Sequence, residues 1–160
     1  MTPQAHTFQI PRPLKVEHDE LHARLARATR ESGPIGIAAA EVARILHPHF
    51  VNEEAYALPP LGLLPALSAG RIGPEMKPAV DMAQRLKSEL PRLLDEHQAI
   101  VAALQTLRDA AHQVQRSDIV AFADKLILHA ETEEQVLYPA TILIGEFLSA
   151  KLRIVNASEE

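Results

Sequence analysis

Apolar residues recur every three or four positions along most of this chain, which is the spacing of an amphipathic α-helix. The first such run, LKVEHDELHARLARATRESG, begins after Pro13 and stops at Gly33. Its apolar residues on one side are Leu14, Val16, Leu21, Leu25 and Ala26. A second run begins near Ile37 and ends near Ala57, and its other apolar positions are Val42, Ile45 and Leu46. The pattern therefore predicts two helices joined by a short turn.

An apolar connection rich in proline and glycine, ALPPLGLLPALSAGRIG, follows at residues 57–73. A third helix is predicted from about Pro74, with a kink at Pro91, because proline removes a backbone hydrogen bond inside a helix. Ser117 is a suitable N-cap for a fourth helix that Pro139 ends or bends, and ATILIGEFLSAKLRIV supplies a last helical segment. We therefore predict an all-α protein: an up-down four-helix bundle with a short C-terminal helical tail.

The chain contains an internal repeat. The segments HPHFVNEEAYALPP (47–60) and HAETEEQVLYPA (129–140) share the order His, three residues, Glu-Glu, four residues, Pro, at an offset of 80 positions. The helices before them repeat too, because Glu17-His18 and Glu96-His97 are 79 positions apart. Each half is thus a predicted helix pair, and short loops make neighbouring helices antiparallel.

Length and composition limit the class of protein. A chain of 160 residues is long enough for one domain with a full core. We assign an N-terminal extension to 1–13 and one domain to 14–155, with half-repeats at 14–60 and 90–140. The net charge of −5 has mixed signs and offers no basic face for nucleic acid, and the lack of cysteine excludes disulfides and thiolate metal sites. The sequence shows no secretory signal and no apolar run of the roughly 18 residues that a membrane span needs, so we expect a soluble cytoplasmic protein without a membrane partner.

The repeated histidines and glutamates are the candidate functional residues. His49 and Glu53 are spaced i, i+4 and lie on one helix face, and His129 and Glu133 match them. If all four histidine-bearing helices face one interior, these side chains meet there: His18, His49, Glu53, His97, His129 and Glu133. Such a nitrogen and oxygen ligand set suits iron, manganese, cobalt or zinc, whereas magnesium and calcium prefer oxygen alone.

The ligand count favours two ions over one. One ion with six protein ligands would have no open position, whereas a glutamate can bridge two ions through both of its oxygens. Two six-coordinate ions offer about 12 positions. Four imidazole nitrogens, two bridging carboxylates and a bridging oxide or hydroxide fill all but two, which can take water or a small ligand such as dioxygen.

The order His, His-x-x-x-Glu, His, His-x-x-x-Glu resembles the hemerythrin-like, or HHE cation-binding, domain family. The matching parts are Glu17-His18, Glu96-His97 and the blocks HFVNEE and HAETEE, within residues 14–145. The resemblance implies a four-helix bundle around a non-haem di-iron centre, with two iron ions and an oxo or hydroxo bridge; manganese or zinc would also suit the ligands. The metal ligands that it implies are His18, His49, Glu53, His97, His129 and Glu133.

The same resemblance implies several functions, because members of the family bind or sense dioxygen, sense iron, or take part in nitrosative-stress responses. We expect a protein that binds or senses dioxygen or another small diatomic ligand. One alternative is an enzyme, either a di-iron oxidase or peroxidase or a nitric-oxide-handling protein, but no positioned general acid, general base or organic-substrate pocket can be recognised. The other alternative is a metal store or a structural metal site.

The sequence departs from the oxygen-carrying hemerythrins in two ways. Those proteins carry a second histidine on the third helix, where this chain has Val101. In compensation, His22 on the first helix is a candidate fifth imidazole. The last carboxylate of the carriers is five residues from its histidine, which would select Glu134; the internal repeat instead selects Glu133, the equivalent of Glu53.

Several neighbouring residues carry weaker predictions. His47 is expected to face a different side of its helix from His49. Pro48 strains the turn before that ligand, and a π-bulge there would set the angle of the imidazole. The apolar connection at 58–67 is predicted to be either a lid over the metals or an interface between copies of the chain. Three glutamates are predicted to be solvated or to support the ligands: Glu54, Glu131 and Glu134.

Overall fold

The computed structural model of the protein describes residues 8–158, with the side chains of 8–153. Most of the predicted N-terminal extension, residues 1–7, lies outside the described residues. The described chain is helical, with six α-helices: α1 (Arg12–Ala28), α2 (Gly33–Asn52), α3 (Leu64–Ser68), α4 (Lys77–Gln113), α5 (Ser117–Thr132) and α6 (Tyr138–Ser158). Two wide π-helical turns and two tight 3₁₀ turns connect them: Glu53–Ala57, Glu133–Leu137, Pro59–Leu63 and Pro74–Met76.

Four of these helices form the predicted bundle. The pairs in contact are α1 with α2, α2 with α4, α4 with α5, and α5 with α1, which closes the ring. The apolar positions of all four helices meet in one core, whose most buried members include Leu21, Ala39, Val42, Leu104, Leu107 and Ala123. The fold prediction is therefore confirmed.

The C-terminal tail is longer than predicted, since α6 has 21 residues and packs along the first part of α4. Gly145 makes this close approach possible, because a Cβ at that position would lie 2.3 Å from the Cβ of Ala83. The connection after α2 packs here as well. Leu58 and Leu61 are buried against residues of α4 and α6 such as Leu148. Most of the apolar surface that suggested a lid or a subunit interface is thus buried within the chain.

The observed start of α2 differs from the start that the apolar periodicity predicted. This helix begins at Gly33, whose φ of 72° is a conformation that glycine adopts without strain, rather than near Ile37. Ile37 is 75% exposed and does not belong to the core. Pro48 and Pro91 both lie inside α-helices, and the wide turn predicted at Pro48 instead starts at Glu53, four residues after His49.

No helix within residues 8–158 combines the length and the apolar character needed to cross a membrane.

Candidate metal centre

Six buried side chains meet in the middle of the bundle. Each of the four bundle helices contributes one histidine, and each wide turn contributes its first residue, a glutamate. All six are at most 5% exposed: His18, His49, Glu53, His97, His129 and Glu133. The structure therefore brings together every residue of the predicted six-residue ligand set.

The two wide turns occupy equivalent places in the two halves. In each, the backbone N–H five residues on donates to the glutamate carbonyl: Leu58 to Glu53, and Tyr138 to Glu133. The next residue is Pro59 in one half and Pro139 in the other, and neither has an N–H to continue an α-helical ladder. In the first half the proline starts a 3₁₀ turn, whereas in the second half the helix continues through it as α6. π-helical turns of this kind are frequent at functional sites.

One half of the centre is formed by His18, His129 and Glu133. The two imidazole Nε2 atoms lie 3.1 Å apart, and Oε1 of Glu133 lies 2.8 Å from Nε2 of His129 and 3.3 Å from Nε2 of His18. Donors at neighbouring corners around an ion with bonds of about 2.1 Å are separated by about 3.0–3.4 Å. The three atoms therefore have the spacing of ligands around one ion.

The other half is formed by His49, Glu53, His97 and again Glu133. Oε1 of Glu53 lies 3.1 Å from Nε2 of His49, and Oε2 of Glu133 lies 3.2 Å from Nε2 of His97. Glu133 thus turns one oxygen to each half. Glu53 does the same more loosely, since its Oε2 lies 3.9 Å from Nε2 of His18. Both glutamates therefore turn an oxygen toward each half of the buried group.

Two polar atoms in this buried group lack a hydrogen-bond partner among the described residues, namely Nε2 of His49 and Oε2 of Glu53. Although His49 Nε2 is close to Glu53 Oε1, the contact does not have the orientation of a hydrogen bond. A buried polar atom left unpaired costs about 1–3 kcal/mol. Coordination of a cation by both atoms would remove this cost, so the residues present fit a metal ion.

Four other glutamates contact the Nδ1 atoms of these imidazoles, on the side away from the centre. Every ligand histidine turns Nε2 to the centre and places Nδ1 2.6–3.3 Å from a carboxylate oxygen. The pairs are His18 with Glu54, His49 with Glu96, His97 with Glu134, and His129 with Glu17. We call Glu17, Glu54, Glu96 and Glu134 the supporting glutamates. A carboxylate that accepts from Nδ1–H fixes the ring and leaves Nε2 free to bind a metal.

The supporting pairs follow the internal repeat. His18–Glu54 corresponds to His97–Glu134, with both residues in one half of the chain. The other two pairs cross between the halves. Glu54 and Glu134 were predicted to be either solvated or in support of the ligands, and each contacts a histidine of the group. The contacts of Glu17 and Glu96 were not predicted. Their repeated position directly before a histidine was the available signal.

The carboxylates control the charge of the imidazoles in the metal-free chain. Burial by itself lowers the pKa of His97, but the nearby carboxylates of Glu133, Glu53 and Glu134 outweigh it and raise that pKa to about 10. Burial also lowers the pKa values of His49 and His129, and again the neighbouring carboxylates give a net increase. Burial raises the pKa of Glu133, yet three imidazoles hold it well below its usual range. Without an ion the centre therefore holds protons, which a metal must displace.

Tyr138 makes the two halves of the centre different. Its hydroxyl donates a hydrogen bond to Oε1 of Glu53 and lies 3.3 Å from Nε2 of His97. Burial raises its pKa, and the carboxylates of Glu53 and Glu133 raise it further, so the phenol stays protonated. The equivalent residue of the first half is Leu58, which cannot donate. Tyr138 was missed from the sequence, since a tyrosine whose repeat equivalent is a leucine carries no recognisable pattern.

The remaining predicted candidates lie outside the six-residue group. His22, the candidate fifth imidazole, is exposed, and its Nε2 contacts Nδ1 of His47 instead. His47 faces away from the centre, as its spacing predicted. Glu134 does not join Glu133 among the inner residues but supports His97. Glu131 is exposed, in agreement with the prediction of a solvated residue.

Comparison with known proteins agrees with this geometry. The family described as the Hemerythrin HHE cation binding domain matches residues 9–141, which is most of the chain. No individual curated protein and no solved structure matches the chain. The family suggests a metal-binding protein, and the buried histidines and glutamates are suited to hold a metal ion. The chain belongs to the hemerythrin HHE cation-binding domain family.

Proposed function

We propose that this protein holds two iron ions and uses them to bind or sense dioxygen or another small diatomic ligand. The observation that carries the proposal is the sharing of Glu133 between two groups of buried donors. In this assignment His18 and His129 would hold one ion, His49 and His97 would hold the other, and Glu53 and Glu133 would contribute to both. Iron suits imidazole and carboxylate ligands together, and the bound pair would supply reversible redox chemistry.

The ligand count supports a small exogenous ligand. Each half offers two imidazole nitrogens and one oxygen from each bridging carboxylate, which leaves positions open on a six-coordinate ion. The buried phenol of Tyr138 faces this space beside Glu53. The single phenol proton is donated to Glu53 in the metal-free chain. If an ion takes that carboxylate oxygen, the hydroxyl would be free to donate to a small anionic ligand, and the half beside Leu58 lacks such a donor. We therefore place the preferred ligand position in the His49 and His97 half.

The other residues of the site orient the imidazoles and exclude water. The supporting glutamates orient the four imidazoles, so that the chain need not reorganise when ions arrive. The ring of Phe50 stacks on that of His18 at a centroid distance of 4.0 Å and shields this side of the centre. Because all six donors are buried, only small molecules could reach them.

A di-iron oxidase or peroxidase is the second candidate, and Tyr138 is the observation that favours it. A buried phenol in contact with Glu53 and His97 could deliver a proton to a reacting ligand. Steady consumption of hydrogen peroxide by the iron-loaded protein would support this alternative, and its loss in Tyr138→Phe would assign the proton to the phenol.

Elemental analysis together with visible spectra, recorded with and without air, tests the leading proposal. We expect about two iron atoms per chain, by the ligand count above, and charge-transfer bands that change reversibly when dioxygen or nitric oxide is added. Zinc with a featureless spectrum would overturn the proposal and favour a structural site. Bound iron whose absorption bands change with neither dioxygen nor nitric oxide would favour a metal-storage function.

A further inference from the structure

Two exposed imidazoles meet on the surface outside the metal centre. His22 of α1 and His47 of α2 place Nε2 and Nδ1 3.3 Å apart, with ring centroids 5.3 Å apart. Neighbouring donors around a first-row metal ion with bonds of about 2.0–2.1 Å are about 2.9–3.4 Å apart. The pair therefore already has the spacing of two ligands on one ion.

The imidazole pair lines a cleft whose lining also includes one histidine of the buried group. This cleft, of about 180 Å³ between α1 and α2, is also lined by His18 and Glu54. His18 is one of the six inner donors, and Glu54 is its supporting glutamate. Phe50 lines the same cleft and stacks on His18, so an ion that moves from the surface pair to the centre must pass this ring.

The charges around the cleft favour a cation. The ammonium of Lys15 lies 2.9 Å from Asp19 and 3.1 Å from Glu54, so one positive charge faces two carboxylates. The side chain of Lys15 is 46% exposed and can swing into water when a metal ion arrives. Displacing it would leave Asp19 and Glu54 beside an ion held by the imidazoles.

The second half of the chain provides an internal comparison. A cleft of about 310 Å³ between α4 and α5 is lined by His97 and Glu134, the repeat equivalents of His18 and Glu54. The positions that correspond to His22 and His47 are Val101 and Ile127. Because this half forms a cleft without an equivalent pair of surface imidazoles, the pair is not needed to build the fold or the cavity.

We propose that His22 and His47 capture a divalent first-row transition-metal ion from solution and pass it through the cleft to the buried donors. The inference rests on the proposed metal centre. Capture replaces the contact between the two rings with two nitrogen–metal bonds, and transfer exchanges them for bonds to the inner histidines and glutamates. The oxidation state of the ion does not change.

The rate of metal uptake tests the transfer step. Metal-free protein is mixed anaerobically with Co²⁺, and the visible bands of bound cobalt report loading. We expect the double variant His22→Ala/His47→Ala to load several-fold more slowly than wild type, with the same final cobalt content. His112→Ala, which removes an exposed histidine that lines neither cleft, is the control and should load normally. Equal rates for the double variant and wild type would overturn the transfer step.

The capture step has its own readout. After Zn²⁺ has filled the centre, a further equivalent should shift the ring ¹⁵N resonances of His22 and His47, and rings that do not respond would overturn capture. Failure of the underlying function looks different: wild type would then take up no cobalt into the centre at all. Both substituted residues are exposed, and circular dichroism of the double variant should confirm an unchanged helical fold.

Discussion

The supporting glutamates give the sharpest prediction, because the structure ranks them. Glu96 accepts a hydrogen bond of 2.6 Å from Nδ1 of His49, whereas Glu17 lies 3.3 Å from Nδ1 of His129 without an aligned hydrogen bond. Loss of such a partner typically lowers metal affinity by about 10–100-fold. That range corresponds to about 1.4–2.8 kcal/mol in binding free energy. We expect the loss of metal affinity to be near the upper end of this range for Glu96→Ala and near the lower end for Glu17→Ala.

Competition with a chelating dye measures both affinities, with Co²⁺ as the probe. Glu96→Gln should lose less than Glu96→Ala, because the amide oxygen still accepts from Nδ1–H. Glu20→Ala, at an exposed position of α1 one turn beyond Glu17, should bind like wild type. The reasoning is refuted if Glu17→Ala weakens binding more than Glu96→Ala, or if neither changes it.

Three further outcomes are expected. Tyr138→Phe removes a donor to Glu53 and should destabilise the metal-free protein by about 1–3 kcal/mol in urea unfolding; unchanged stability would show that the contact is not a hydrogen bond. The pKa of His97 is raised to about 10, so its contribution to metal-free stability is complete below about pH 6.5, the pKa expected in the unfolded chain, and is lost as pH rises through about 10. The melting temperature of the metal-free protein should therefore fall as the pH rises from about 6.5 to about 10. A constant melting temperature would contradict the raised pKa of His97. Leu104→Ala in the bundle core should cost about 2–5 kcal/mol, whereas Leu128→Ala, at a position 62% exposed, should cost under about 0.5 kcal/mol.

The inner donors could be predicted because helical spacing and the repeat act together. An i, i+4 pair such as His49 and Glu53 shares a face in any helix, whatever surrounds it. The constant offset then indicated that both halves use the same face, and the repeat selected Glu133 rather than Glu134, which is the glutamate that lies in the buried group. These features depend on local geometry, which the sequence encodes directly.

Features that depend on packing between helices could not be predicted. His22 lies one turn from His18 on α1, yet it is exposed and contacts His47 instead of the buried group. The contact between Tyr138 and Glu53 joins residues 85 positions apart, through the way α6 leaves the second wide turn. Neither the exposure of His22 nor the contact of Tyr138 with Glu53 follows from residue spacing.

Anomalous X-ray scattering from crystals of the iron-loaded protein, recorded at the iron absorption edge, tests the central claim most directly. Two peaks in each chain are predicted, one beside His18 and His129 and the other beside His49 and His97, with Glu133 between them. A single peak, or peaks away from these four histidines, would contradict the account of a carboxylate-bridged pair of ions.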